Sequence, residues 1–265
     1  MTEVRHHRAR KRFGQNFLVD PNIIDKIVGA LAPGENDNLI EIGPGQGALT
    51  EPLLATTPCL QVIEVDRDLA ADLRKRFGGH PGFRLYEGDA LAFDFGKLGT
   101  AEQPLRVVGN LPYNISTPLL FHLLNYESVI GDMHFMLQRE VVDRMTAGPG
   151  SKTYGRLGII AQYHCRIDFL FPVPATCFRP VPQVESAIVR LVPHRQKPYL
   201  AQDPVFFRKV VKLAFQQRRK TLRNALKPLM DSSRLNELDI DLNARPETLS
   251  VSDFVHLSNR ILTLK

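Results

Sequence analysis

NLIEIGPGQG, residues 38–47, is the stretch that decides the fold. Its first five residues predict a short buried strand, the glycines that follow form a loop, and a helix is predicted from about Ala48. Glycines at a strand-to-helix junction let the backbone approach a ligand closely. The spacing differs from the dinucleotide fingerprint and Pro44 is unusual in such a site, so the loop alone predicts either a turn or a ligand site.

Strands and helices alternate after this loop. Further strands are predicted at 60–65, 83–86, 105–108 and 133–137, and most are followed by apolar residues at helical spacing. This alternation indicates an α/β fold with a doubly wound parallel sheet and helices on both faces. Two more strands, 163–171 and 187–192, are predicted to close the sheet.

The chain is expected to divide at a polar, proline-bearing linker near residues 193–204. The α/β domain would occupy residues 1–193, including a basic N-terminal arm at 1–12. Asp203-Pro204 predicts a helix start, because Asp suits the N-cap and Pro the first helical position. Later apolar positions at helical spacing predict a small all-α domain at 204–265.

Composition narrows the class of protein. The chain has 265 residues, 43% of them hydrophobic, which is enough for a core. The sequence has no run of eighteen apolar residues, so no membrane span is predicted. Its basic N-terminus lacks the apolar stretch of a secretory signal. Three cysteines (Cys59, Cys165, Cys177) are odd in number and far apart, so we expect reduced thiols, no metal site and a cytoplasmic protein.

Positive charge is concentrated in two clusters within a chain of net charge +6. One lies in the arm at 5–12. The other comprises Arg218, Arg219, Lys220, Arg223 and Lys227. On a continuous helix, Arg219, Arg223 and Lys227 would share one face, with Leu222, Ala225, Leu226 and Leu229 turned inward. Either cluster alone could be a solvated surface. Together with a candidate pocket for a nucleic-acid base at residues 109–113, the two clusters predict a nucleic-acid partner.

Acidic residues follow the next two predicted strands. Glu64 ends the first, where a carboxylate can accept hydrogen bonds from both hydroxyls of a ribose. Asp89 ends the second and could accept from an adenine amino group. Asp66 is the second choice for the ribose. Each acid alone could equally be a solvated strand end, but with the glycine loop they predict a cofactor that carries a nucleoside.

The strand at 105–108 leads into Gly109-Asn110-Leu111-Pro112-Tyr113. The exocyclic amine of adenine is a poor nucleophile, because its lone pair is delocalised into the ring. Hydrogen bonds from both N–H groups to the Asn110 side-chain oxygen and the Leu111 carbonyl could localise that lone pair, while Pro112 fixes the turn and Tyr113 stacks on an unpaired base. In isolation the stretch could be only a turn with a core tyrosine.

Several ordered motifs together resemble the rRNA adenine dimethyltransferases, and within them the type of the bacterial small subunit. The similarity covers essentially the whole chain, and the motifs that carry it lie at 12–18, 41–47, 109–116, 178–186 and 215–224. The resemblance implies a Rossmann-like methyltransferase sheet and S-adenosyl-L-methionine as cofactor. It also implies direct displacement on the sulfonium methyl, with no charged residue needed as nucleophile.

Site residues follow from the resemblance by position. Cofactor binding falls on Gln15, Asn16, Leu18, Gly43, Gly45, Glu64, Asp89, Ala90 and Asn110. Of these, Gln15 to Leu18 would be an irregular loop on sequence alone. The catalytic set is Asn110, Leu111, Pro112, Tyr113 and Phe178, with Phe178 packing near the target base, although sequence alone favours a core position for it. The implied partner is 16S rRNA in the 30S subunit or its precursor, and a monomer is expected.

Two alternatives remain at this stage. One is a large-subunit rRNA methylase of the antibiotic-resistance type, disfavoured by Leu111, where isoleucine is more typical, and by the basic segment at 218–220. The other is an assembly or transcription factor that binds RNA without catalysis, disfavoured because every motif position needed for chemistry is present.

Overall fold

The computed structural model describes residues 15–216 and 220–264, without the side chain of Ser232. The strands of this part are β1 Phe17–Leu18, β2 Asn38–Ile42, β3 Leu60–Glu64, β4 Phe83–Glu87, β5 Leu105–Asn110, β6 Ile130–Gln138, β7 Cys165–Val173, β8 Phe178–Arg179 and β9 Ser186–Pro193. Its α-helices are α1 Pro21–Leu31, α2 Thr50–Thr56, α3 Arg67–Phe77, α4 Ser116–Leu123, α5 Arg139–Thr146, α6 Arg156–His164, α7 Pro204–Ala214, α8 Leu222–Leu226, α9 Ser232–Leu235 and α10 Val251–Thr263. None of these helices combines the length and apolar character that crossing a membrane requires.

Seven strands form one sheet in the order β4-β3-β2-β5-β6-β9-β7. The five strands from β4 to β6 are parallel, and β9 runs antiparallel to β6. The apolar character of β2, β3 and β5 suits strands covered on both faces. The predicted α/β class is confirmed.

The order of the strands reverses beside β2. From β2 the chain builds outward through β3 to β4, then returns to place β5 on the other side of β2. Such a reversal opens a crevice at the carboxyl ends of the strands, where ligands bind in open α/β sheets. The strands approach closely there, because a Cβ on Gly109 would lie 2.6 Å from the Ile42 carbonyl oxygen. Glycine is therefore required at the end of β5.

A short two-stranded ribbon lies apart from this sheet. β1 pairs antiparallel with β8, placing Leu18 opposite Phe178. Immediately afterwards Asp20 caps α1 by accepting hydrogen bonds from the backbone N–H groups of Asn22 and Ile23. Residues 17–18, expected to be irregular, form a strand because they have a partner far along the chain.

The chain divides into two compact units. The first contains the described residues up to Val142 together with Asp168–Pro193, and the second contains Asp143–Ile167 together with the described residues from His194. The expected domains, 1–193 and 204–265, differ from this division at residues 143–167. That segment carries α6, which joins the helices of the second unit, with the ring of Tyr163 centred 4.6 Å from that of Phe207.

Two sequence predictions differ from the structure in detail. The strand predicted at 163–171 is present as β7 but begins only at Cys165, because α6 continues to His164. The predicted continuous helix through the second basic cluster is interrupted at Thr221, which is extended (φ −71°, ψ 162°). Leu222 donates its N–H to the Ala244 carbonyl at 3.0 Å instead of to a carbonyl one turn earlier. The helix therefore starts at Leu222.

Candidate active site

A cleft opens at the reversal point of the first unit, with an empty volume of about 960 Å³ including the solvent at its mouth. The structure brings all nine predicted cofactor residues to its lining, namely Gln15, Asn16, Leu18, Gly43, Gly45, Glu64, Asp89, Ala90 and Asn110. Leu111, Pro112 and Tyr113 also line the cleft, and together with Asn110 they are called the wall at 110–113. Residues up to 100 positions apart in the sequence, from Gln15 to Ile115, thus line one cavity.

The glycine loop adopts a backbone that other residues rarely reach. Gly43, Gly45 and Gly47 have φ values of 66°, 57° and 80°. A Cβ on Gly45 would lie 3.1 Å from the Phe17 ring, so a side chain there would crowd the cleft. Helix α2 begins at Thr50, slightly later than predicted, after a series of turns.

Glu64 holds the loop against the end of β3. Its Oε2 accepts the Gly45 N–H at 3.2 Å and its Oε1 accepts the Asp66 N–H at 2.8 Å, while only 5% of the residue is exposed. Burial raises the pKa of this carboxyl, and the backbone hydrogen bonds oppose the rise. Asp66, the second candidate, accepts the Asp68 N–H as the cap of α3 and does not line the cleft. Of the two candidate acids, only Glu64 therefore lines the cleft.

Asp89 lies at the next strand end along the sheet edge. It is exposed, and its Oδ1 accepts the Leu91 N–H at 2.9 Å, which fixes the carboxylate in a tight turn. The neighbouring Ala90 is buried and adds an apolar surface to the cleft. A carboxylate beside an apolar surface suits the edge and face of an adenine ring.

The N-terminal segment reaches across to Asn110. The side-chain nitrogen of Asn110 donates to the Asn16 carbonyl at 3.0 Å. The amide is oriented by this contact, so its oxygen is the atom left to accept a hydrogen bond. The Gln15 amide donates to Asp66 at 3.3 Å, which ties the same segment to the start of α3.

The turn after β5 continues this polar wall. The Leu111 N–H donates to the Met136 carbonyl at 3.2 Å, and the Pro112 carbonyl accepts from Ile115 and Ser116 at the start of α4. No hydrogen bond within the described chain is made to the Leu111 carbonyl. The half-buried Tyr113 places its hydroxyl 2.8 Å from the Ser186 Oγ, and burial raises the pKa of that phenol. Two acceptors and an aromatic ring therefore share one wall.

A family model described as ribosomal RNA adenine dimethylase matches residues 6–262. The chain belongs to the ribosomal RNA adenine dimethylase family. As a member, it is an S-adenosylmethionine-dependent methyltransferase.

One relative is similar in sequence over nearly the whole chain, and two solved structures are similar in fold. A protein from Chromohalobacter salexigens named ribosomal RNA small subunit methyltransferase A is 58% identical, over 96% of this chain and 92% of its own. The crystal structure of a dimethyladenosine transferase from Plasmodium falciparum superposes with a TM-score of 0.75 at 26% identity, covering 91% of this chain and 95% of that one. The 23S rRNA methyltransferase ErmE, at 24% identity and a TM-score of 0.70 over 93% and 99% of the chains, shows the shared fold.

Phe178 is the one predicted catalytic residue of the dimethylase that the structure places elsewhere. Its side chain is 1% exposed and packs in the core with Leu18, Val108 and Ile188, outside the lining of the cleft. A role for Phe178 beside the target base stays a prediction.

The predicted RNA-binding residues are only partly described. Arg218 and Arg219 lie outside the described residues. Lys220 and Lys227 are exposed, whereas Arg223 is half-buried and donates to the Asn236 side chain at 2.9 Å. RNA binding by this segment stays a prediction.

Glu41 lines the cleft of the dimethylase, although sequence reasoning gave it no role beyond membership of the glycine-loop motif. It is 2% exposed and accepts the Thr50 hydroxyl at 2.6 Å. Burial raises its pKa to about 8, the Thr50 hydrogen bond opposes the rise, and the Glu64 charge adds to it. An acid within the predicted strand, two residues before Gly43, was the signal available in the sequence.

This raised pKa predicts how stability changes with pH. Between pH 4.5 and 8 the folded protein keeps a proton on Glu41 that the unfolded chain releases, so stability falls as pH rises. Glu41→Gln removes this titration. We expect the wild type to lose about 4 kcal/mol of unfolding free energy relative to Glu41→Gln between pH 5 and pH 8. Urea denaturation at both pH values measures the difference, and parallel pH profiles for the two proteins would contradict it.

Proposed function

We propose that this enzyme transfers methyl groups to the N6 atoms of two adjacent adenines near the 3′ end of 16S rRNA. The observation that carries the proposal is the single cleft in which the nine candidate cofactor residues adjoin the wall at 110–113. The choice of the small subunit is supported by the name of the relative that is 58% identical. The substrate would be the 30S subunit or a precursor of it.

The residues of the cleft fit S-adenosylmethionine. The space beside Gly43 is open, because a Cβ there would have no other atom within 4 Å, so the backbone can contact the cofactor closely. Glu64 would accept from the ribose hydroxyls, and Asp89 from the adenine amine of the cofactor. When bound, S-adenosylmethionine supplies a methyl group on a sulfonium, which a nucleophile takes by direct displacement.

The wall at 110–113 would prepare the target adenine. The Asn110 side-chain oxygen and the Leu111 carbonyl accept from the two N–H groups of the amine, which localises the nitrogen lone pair. Such fixed acceptors act in a partly dry site, where they need little reorganisation. Tyr113 stacks on the base, which has to be unpaired or taken out of its helix to reach the cleft.

Dimethylation constrains this wall. After the first transfer the amine retains one N–H, so only one acceptor can remain engaged. The pocket therefore has to admit a rotated monomethylamine. The amine loses one proton at each transfer, and no histidine lines the cleft among the described residues.

The exposed Lys220 and Lys227 would contact the phosphates of the subunit together with Arg218, Arg219 and Arg223. Each phosphate contact increases the salt dependence of binding. Action on the ribosomal subunit would place the enzyme in the cytoplasm, and we propose that it works as a monomer.

The test compares two RNA substrates. Purified enzyme and S-adenosylmethionine are incubated with immature small subunits or with naked large-subunit RNA, and the digested RNA is examined by mass spectrometry. We expect N6,N6-dimethyladenosine at two neighbouring positions of the small-subunit RNA only. Modification of the large-subunit RNA would favour the resistance-type methylase. Tight cofactor binding without modification of either RNA would favour a non-catalytic binding protein.

A further inference from the structure

The hydroxyl of Tyr113 meets a residue from a distant part of the chain. It lies 2.8 Å from the Oγ of Ser186, which is 73 residues further along the sequence. Ser186 is fully buried and opens β9, where it pairs with Gln138 at the end of β6. Just before it, the Glu185 carbonyl accepts the Arg139 N–H at 2.9 Å. The partner of the tyrosine is thus fixed in the central sheet.

Tyr113 itself has no comparable support. It lies in the turn between β5 and α4, and its carbonyl accepts the Ser116 hydroxyl at 3.2 Å, which fixes the backbone but not the ring. The residue is half-buried, so packing covers only part of the side chain. A tyrosine side chain has two rotatable bonds, and a hydrogen bond to the hydroxyl restricts the first of them, which sets the position of the ring.

The segment that supplies Ser186 also reaches the other side of the pocket. It begins with β8, whose pairing with β1 holds residues 17–18 in place next to Asn16. The Asn16 carbonyl in turn accepts from the Asn110 amide at 3.0 Å. One stretch, residues 178–186, is therefore linked both to the polar acceptor and to the aromatic ring.

We propose that Ser186 is a positioning residue, whose hydroxyl holds the Tyr113 ring at the place where it stacks on the target adenine. This inference rests on the proposed function. The motif at 178–186 would then act on the pocket indirectly. Phe178 and Ser186 are both buried, and Ser186 positions Tyr113 without contacting the base itself.

Three variants test the proposal: Ser186→Ala, Tyr113→Phe and the double variant. Losing one hydrogen bond that aligns the ring should lower kcat for adenine methylation about fivefold in each single variant, with KM for the subunit and cofactor affinity unchanged. Because both changes remove the same contact, the double variant should be no slower than either single variant. The control is Ser258→Ala, which removes another buried serine hydroxyl, from α10 of the second unit.

Several outcomes would overturn the proposal. Wild-type kcat in Ser186→Ala would do so, and so would losses that multiply in the double variant, because they would show that Ser186 acts separately from the Tyr113 hydroxyl. If Ser186→Ala does not fold, Tyr113→Phe decides, since wild-type kcat in that variant removes the basis of the proposal. A wild-type enzyme that leaves adenine unmodified would instead refute the proposed function.

Discussion

Asn110→Ala should lower the rate of methyl transfer about a thousandfold, as removal of a preorganised polar group from a reaction centre does. The change removes the side-chain oxygen that the Asn16 carbonyl orients through the amide nitrogen. Cofactor affinity should fall much less, because eight of the nine candidate cofactor residues remain. Single-turnover methylation of immature small subunits and calorimetric titration with S-adenosylmethionine measure the two effects separately.

Asn114→Ala is the matched control for this variant. Asn114 is an exposed asparagine four residues along the same motif and does not line the cleft. It should methylate at the wild-type rate. If Asn110→Ala also kept the wild-type rate, the proposal that Asn110 polarises the adenine amine would be wrong, although the family membership would stand. If its cofactor affinity fell as far as its rate, Asn110 would act mainly in cofactor binding.

Glu64→Gln should weaken S-adenosylmethionine binding about a hundredfold, because hydrogen bonds to a charged acceptor are about twice as strong as neutral ones. The carboxylate accepts N–H groups from Gly45 and Asp66 on its two oxygens. Glutamine offers one oxygen and one NH₂ group, so one backbone donor would face another donor. The change should therefore weaken both the hydrogen bonds to the glycine loop and the contact with the ribose.

Glu87→Gln provides the comparison at the neighbouring strand end. Glu87 ends β4, is exposed and pairs with Arg74, away from the cleft. Its change should leave cofactor affinity within about twofold, since exposed ion pairs contribute little. Equal affinities for Glu64→Gln and the wild type would reduce Glu64 to a structural residue of the loop.

The central sheet was predictable because its strands carry strong local signals. β2, β3 and β5 are short apolar runs bounded by glycine, acid or amide residues. Their parallel arrangement follows from the intervening helices. The cleft was predictable for the same reason, since the carboxyl ends of neighbouring parallel strands meet at one edge and bring Gly43, Glu64 and Asn110 together.

Helix α6 was missed because it lacks an amphipathic pattern. Seven of its nine residues are buried, so no polar stripe marks a period of 3.6. Gly158 also weakens the helical signal, yet a Cβ there would lie 2.6 Å from the Arg144 carbonyl oxygen. Packing within the second unit explains this glycine, and local propensity does not.

Contacts between distant segments account for the other differences. Phe178 lies in the core because β8 pairs with β1, and Thr221 breaks the basic helix because residues 222–223 donate to carbonyls at 242 and 244. The Tyr113–Ser186 contact likewise joins two motifs far apart in the sequence. No local pattern encodes these pairings.

The most direct measurement is the structure of the enzyme with S-adenosylhomocysteine on an immature small subunit. We predict that the N6 atom of a target adenine lies within hydrogen-bond distance, about 2.7–3.2 Å, of both the Asn110 side-chain oxygen and the Leu111 carbonyl. The ring of Tyr113 should stack on that base. An adenine bound elsewhere, or an Asn110 oxygen turned away from N6, would contradict the account.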